Sequence, residues 1–286
     1  MPPITDEQFD EIVSLDVRLA LTEDIGSGDI SAELIASERH CRARVISRQP
    51  AVICGRPWFN RVFEQLSEYI DIVWHCEEGQ QVAANSLLCE LSGPARAMIS
   101  GERCALNFLQ TLSGTASKAR RYAERVADLP VRLLDTRKTL PGLRIAQKYA
   151  VKAGGCHNHR FGLYDAILVK ENHLIAAGSI ANAVASLRKR HSRMAIEIEV
   201  ESLDEMTQAI EAGIKRLLLD NFSLDQLKAA VAARPAGVAL EFSGNVDLDN
   251  VREIALTGVD YISIGDLTKN VEAVDLSMRF DMEAIN

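Results

Sequence analysis

Residues 195–221 read AIEIEVESLDEMTQAIEAGIKRLLLDN. A β-rich run (195–200) leads into an amphipathic helical stretch (203–212) and then a second apolar run (216–220). Strand, helix and strand in that order predict two parallel strands covered on both faces. The same alternation continues in both directions. Runs at 131–135 and 166–170 precede it, runs at 238–243 and 261–265 follow it, and helical segments at 180–190 and 224–233 lie between. Strand-like runs recurring every ~20–35 residues predict a parallel α/β sheet. No Gly-x-Gly-x-x-Gly follows the first run, which counts against a dinucleotide-binding fold. With six runs and not eight, the expectation is an incomplete TIM-like α/β barrel.

The N-terminal part has a different texture. Thr5 and Gln8 form a capping-box pattern ahead of Phe9, Ile12, Val13, Val17, Leu19 and Leu21 at helical spacing, and Gly26-Ser-Gly28 ends that helix. Runs at 42–53, 70–74 and 87–91 predict strands, with a polar turn at 77–80, and Pro57 opens a helix over 58–66. Strands clustered with a few helices make this an α+β unit. From Ala95 a helix is expected to about 112, with a pause at Ser113-Gly114 and a second stretch to about 128. The domain division is therefore placed at 1–114 and 115–286, with the last residues able to pack back on the first domain.

The 286 residues are 47% hydrophobic and 25% charged, with a formal net charge of −8 and a pI near 5.4. This is the composition of a soluble globular protein. An acidic balance opposes nucleic acid as a partner, so any anion site must be a local cluster working against the global charge. The six cysteines form no Cys-x-x-Cys pair, no charged-then-apolar leader opens the chain, and no apolar run approaches 18 residues. The expectation is a cytoplasmic protein with reduced thiols and no membrane partner.

Catalytic groups in α/β barrels sit at the C-terminal ends of the strands. Here those ends carry Arg137 and Lys138, then Lys170, then Glu197, Glu199 and Glu201, then Asp220, then Glu241 and Ser243-Gly244-Asn245, and last Gly265-Asp266. The segment after the first strand adds Lys148, His157, His159 and Arg160. Arg137, Lys138, Arg160 and Lys170 converging on one mouth predict a multiply anionic ligand, since clustered cations are costly without one. Taken singly, a Lys or Arg reads better as a solvated surface charge, except that Arg137 and Lys170 close apolar runs and read as functional. Glu199 and Asp220 on adjacent strands could bind Mg²⁺ or serve as salt-bridge partners for the basic set, and spacing leaves both open. Ser243, Gly244, Asn245 and Gly265 are small or polar residues where backbone amides can approach a phosphate, or where a turn merely needs them. His157-Asn-His159 has no third ligand nearby in sequence and is a weak metal signal.

These residues also carry a resemblance. RKTLPGLR (137–144), KYAV (148–151), GGCHNHR (154–160), LYD (163–165) and KENH (170–173) are similar to the quinolinate phosphoribosyltransferase family. EDIGSGD (23–29), ERCALNFLQ (102–110), LDN (219–221), SGN (243–245) and SIG (263–265) extend the similarity, in order, over nearly the whole chain. Cys156 replaces a usual glycine, Leu140 a common threonine, and Asp266 a usual alanine.

The resemblance implies an N-terminal open sandwich, a C-terminal incomplete barrel and a homodimer. It implies transfer of phosphoribosyl from phosphoribosyl pyrophosphate to quinolinate with loss of CO₂, giving nicotinate mononucleotide for NAD synthesis. On this reading Arg137, His159 and Arg160 clamp the quinolinate carboxylates, and Arg103 enters from the partner subunit. Lys138 and Lys170 lie near the pyrophosphate and ribose, Glu199 and Asp220 steady Mg²⁺ and the ribose, and Ser243, Gly244, Asn245 and Gly265 hold the 5′-phosphate. Competing readings are a relative acting on another pyridine acid such as nicotinate, a barrel aldolase using Lys170 as a Schiff-base lysine, and a non-catalytic anion-binding barrel.

Overall fold

The computed structural model describes residues 5–192 and 194–282. In chain order the elements are α1 (Asp6–Ile25), β1 (His40–Ser47), β2 (Ala51–Val52), α2 (Arg56–Leu66), β3 (Asp71–Trp74), β4 (Gln81–Val82), β5 (Ser86–Pro94) and α3 (Ala95–Arg125). The alternating part follows as β6 (Arg132–Leu134), α4 (Arg144–Ala153), β7 (Ile167–Val169), α5 (Glu171–Ala177), α6 (Ile180–Arg190), β8 (Ile196–Val200), α7 (Leu203–Glu211) and β9 (Arg216–Asp220). It ends with α8 (Leu224–Ala233), β10 (Ala239–Ser243), α9 (Val251–Ala255), β11 (Tyr261–Ser263), α10 (Asp266–Lys269) and β12 (Leu276–Asp281).

The chain forms two compact units that do not follow a single cut at residue 114. One comprises 5–120, 139–155 and 270–282, the other 121–138 and 156–269. The first unit is built on an antiparallel sheet in the order β12-β1-β5-β3. Strand β1 alternates, so Cys41, Ala43, Val45 and Ser47 face the core. Helix α1 begins with the expected capping box: Gln8 N–H donates to Thr5 Oγ1, and Thr5 N–H donates to Gln8 Oε1, both at 3.2 Å. Its Val13, Val17 and Leu21 form the buried stripe, while Leu19 faces solvent. The start of α2 has no capping side chain of its own. Glu78 supplies one from a distance, accepting from Gly55 N (2.7 Å) and Arg56 N (3.2 Å).

Helix α3 does not pause at Ser113-Gly114. It runs unbroken for 31 residues. Those two residues are small because something packs on them. Ser113 Oγ accepts from Cys54 N (3.0 Å) and donates to Cys54 O (3.2 Å), and a Cβ on Gly114 would stand 2.1 Å from the Glu272 carbonyl oxygen.

The second unit contains the six-stranded parallel sheet, in the order β6-β11-β10-β9-β8-β7. From β7 to β11 each strand neighbours the next in sequence, and the last, β11, returns to the first, β6. That is barrel connectivity with one open seam, between β6 and β7. Beside β6 the seam holds a short parallel bridge: His157 N–H donates to Leu133 O (2.8 Å), and Asp135 N–H donates to His157 O (3.0 Å). Ser202 and Ser223 start α7 and α8 by accepting from Glu205 N and Gln226 N.

Candidate active site

Period-two alternation aims one side of each barrel strand inward. Leu168 and Lys170, Glu197 and Glu199, Leu218 and Asp220, and Glu241 and Ser243 are such pairs. The C-terminal mouth of the sheet is a pocket lined by Thr136, Arg137, Lys138, His159, Arg160, Leu168, Lys170, Glu199, Leu218, Glu241, Ser243 and Ser263. Seven of the predicted site residues therefore meet in one cavity of the barrel unit: Arg137, Lys138, His159, Arg160, Lys170, Glu199 and Ser243.

Asp135, fully buried at the end of β6, organises the basic side. It accepts from Asn158 Nδ2 (2.6 Å) and from His159 N (2.9 Å), which fixes the chain leading into Arg160. Arg160 is tied on one side to the Ala166 carbonyl (3.2 Å). Burial, and then the nearby positive charge of Arg137, push the Arg160 guanidinium below its ordinary value. Two guanidiniums that repel each other in a partly buried pocket are stabilised by an anion between them. In the same pocket Lys170 Nζ donates to Glu199 Oε2 at 2.6 Å.

His159 is placed differently from the expectation that it clamps a substrate carboxylate. Its Nε2 lies 3.3 Å from both Glu197 Oε2 and Glu241 Oε1, and the Arg160 N–H points at its Nδ1 (2.7 Å). Both ring nitrogens thus face protein groups, and the residue also lines the pocket. Burial opposes a charge on His159, but the two carboxylates outweigh it and raise the imidazole to about 9. Arg216 completes the cluster, donating to Glu197 Oε1 (2.9 Å) and to Glu241 Oε2. Burial alone would raise the Glu241 carboxyl; His159 and Arg216 hold it below its ordinary value.

The remaining predicted residues lie around this pocket or outside it. Asp220 ends β9 and accepts from Asn221 Nδ2 (2.8 Å). Gly244 is glycine by necessity of space, because a Cβ there would meet the Phe242 ring at 2.9 Å and Asn221 Oδ1 at 3.3 Å. A Cβ on Gly265 would stand 3.2 Å from Lys138 Cδ, so this glycine admits the lysine's stem. Asn245 is exposed, and Asn250 Nδ2 donates to its carbonyl (2.7 Å). Glu201 lies past the end of β8 and is exposed. Its neighbours Glu171, Glu205, Asp220 and Glu199 raise its carboxyl by repulsion, Glu171 most. Arg103 is exposed on α3 in the other unit.

Sequence reasoning passed over Thr136, Leu168, Leu218, Ser263 and above all Arg216. The first four carry no chemical signature. Arg216 had a signal: it is a lone cation opening a run whose next three residues are leucines.

Two family descriptions match adjoining parts of the chain: quinolinate phosphoribosyl transferase N-terminal domain over residues 29–113, and its C-terminal domain over 115–279. A probable nicotinate-nucleotide pyrophosphorylase [carboxylating] of Bacillus subtilis is 39% identical over 257 residues, covering 90% of this chain and 89% of that protein. The corresponding Synechocystis protein is 41% identical, covering 91% of this chain and 89% of its own length. The solved structure of the nicotinate-nucleotide pyrophosphorylase from Francisella tularensis superposes with a TM-score of 0.92 at 45% identity, over 95% of this chain and 97% of that one. Near-complete coverage at these identities, on the same two-unit architecture, makes the chain a member of the quinolinate phosphoribosyltransferase family.

Proposed function

We propose that the chain transfers phosphoribosyl from phosphoribosyl pyrophosphate to the ring nitrogen of quinolinate, releasing pyrophosphate and CO₂ and forming nicotinate mononucleotide for NAD synthesis. The observation that carries this reading is the gathering of four cations, Arg137, Lys138, Arg160 and Lys170, in the lining of one pocket. A pyridine with two adjacent carboxylates supplies the matching charge. Nicotinate, with one carboxylate, would leave part of this set unpaired.

In this mechanism the ring nitrogen attacks the sugar's anomeric carbon as the bond to pyrophosphate breaks. Catalysis is positioning and electrostatics, with no protein nucleophile. Arg137 and Arg160 orient the acid, and Lys138 steadies the leaving phosphates. Lys170 Nζ is engaged by Glu199 Oε2 at 2.6 Å and does not stand alone in an apolar pocket, which speaks against the Schiff-base reading. Ser243, Gly244, Asn245 and Gly265 hold the 5′-phosphate through backbone approach. The new pyridinium then draws the electron pair of the departing 2-carboxylate onto ring carbon 2, which takes a proton from solvent.

Glu199 and Asp220 are hard oxygen donors at adjacent strand ends, and their neighbours Glu171, Glu201 and Glu205 make this rim acidic, which supports a cation there. They would hold Mg²⁺, which supplies charge neutralisation to the pyrophosphate when bound. Arg103 is proposed to reach the site of a second subunit in a homodimer. The six cysteines are all buried free thiols, which supports a reducing, cytoplasmic compartment. Among the described residues no helix is long and apolar enough to cross a membrane.

The deciding experiment incubates the protein with phosphoribosyl pyrophosphate, Mg²⁺ and either quinolinate labelled at the 2-carboxylate or nicotinate. Labelled CO₂ and nicotinate mononucleotide from quinolinate are expected, in equal amounts. Turnover of nicotinate alone would overturn the assignment of substrate.

A further inference from the structure

Beneath the substrate pocket the barrel interior is ionic, not apolar. Glu197 on β8 and Glu241 on β10 are buried, and Glu241 also lines the pocket. Their carboxylates and the His159 imidazole offer three ligand atoms within 4.8 Å of one another, a spacing suited to a metal ion. The cluster already has its cation. Arg216 reaches across from β9 and donates to one oxygen of each carboxylate, and the Tyr261 ring covers its guanidinium at 4.3 Å. Arg216 itself is not part of the pocket lining.

We infer that Arg216 is a positioning residue for the acid substrate: it neutralises the two carboxylates under the pocket, so that a dianion can bind above them, and it locks the carboxylates that anchor His159. The inference rests on the proposed function, and it assigns the cluster to anion specificity instead of metal binding. Without Arg216, the two carboxylates keep only His159 as a counter-charge, and a net negative charge lies below a site meant for two more. Buried carboxylates have little water to screen them, so this repulsion is felt by the acid more than by the phosphorylated sugar at the rim.

Three variants test it through opposite signs: Arg216→Gln, Glu197→Gln and the pair together. Arg216→Gln is expected to raise KM for quinolinate at least about tenfold, with KM for phosphoribosyl pyrophosphate within about twofold and kcat within about threefold. Glu197→Gln removes a negative charge and should leave KM for quinolinate unchanged or lower. The double variant restores the charge balance and should return KM to within about threefold of wild type. An unchanged KM in Arg216→Gln, or a double variant worse than either single one, overturns the inference. If Arg216→Gln fails to fold, Glu197→Gln decides alone: a raised KM for quinolinate overturns the charge argument. Calorimetric binding of phthalate, an unreactive 1,2-dicarboxylate, keeps this test separate from the proposed function. Wild type that binds phthalate but does not turn over quinolinate ends the proposed reaction, whereas the ranking of phthalate affinities among the variants still tests Arg216.

Discussion

At the scale of single residues, Arg137 and Arg160 line the same pocket, and the charge of Arg137 is felt at Arg160. Truncating Arg137 removes one of the two guanidiniums and leaves the barrel intact. Arg137→Ala is expected to lose at least about tenfold in kcat/KM for quinolinate, measured by CO₂ release. His159 makes a second prediction, about pH. Two carboxylates 3.3 Å from Nε2 favour the charged ring, while the Arg160 N–H aimed at Nδ1 opposes the second proton. Two full charges outweigh one amide dipole. Folding then favours imidazolium. The stabilisation is complete below the ordinary value of 6.5 and is lost as pH rises through about 9. Urea midpoints followed from about pH 6 to about pH 10 should fall for wild type by an amount that His159→Gln does not show, worth at most ~3 kcal/mol. Equal slopes in the two proteins would place the ring's titration elsewhere.

At the scale of elements, α3 shows how a local signal misleads. Ser-Gly inside a helical pattern reads as a break, because both residues are poor helix formers. The helix continues because Ser113 satisfies its hydroxyl on the Cys54 backbone and Gly114 admits the backbone at Glu272. Neither partner lies near α3 in sequence, so periodicity could not disclose them. Gly114→Ala should raise helix propensity yet destabilise the protein by about 1–3 kcal/mol, read from denaturant unfolding. A stabilised variant would show that the contact is slack. The barrel strands were legible for the opposite reason: their signal is local. Each run at 131–135, 166–170, 195–200, 216–220, 238–243 and 261–265 contains an observed strand, since a strand buried on both faces reads as a largely apolar run. The same rule exposes charges on those strands, and so the residues at their ends stood out. What it could not reveal is pairing. Glu199 with Lys170, and Glu197 and Glu241 with Arg216, become partners only when the register of β7, β8, β9 and β10 is known.

At the scale of the whole molecule, the cut at residue 114 reflects composition, whereas compactness depends on where segments return. Residues 139–155 and 270–282 belong with the N-terminal unit although they lie among or after the barrel strands. Single-chain reading also cannot complete the pocket if Arg103 acts across a dimer. Subunit complementation addresses this directly. Arg103→Ala and Arg137→Ala homodimers should each be nearly inactive. After the two are unfolded together and reassembled at random, about a quarter of wild-type activity should return, because half the dimers hold one intact site. No recovery in verified mixed dimers would place Arg103 in its own subunit's site or outside any site.

The return of β12 has a consequence for synthesis on the ribosome. The antiparallel sheet needs β12 alongside β1, yet 228 residues separate the end of β1 from the start of β12, and the parallel sheet is complete by Ser263. A nascent chain can therefore close its second-made unit first. The first-made unit waits with the β1 edge exposed until residues 276–281 emerge, and during that interval β1 is the strand most in need of a chaperone.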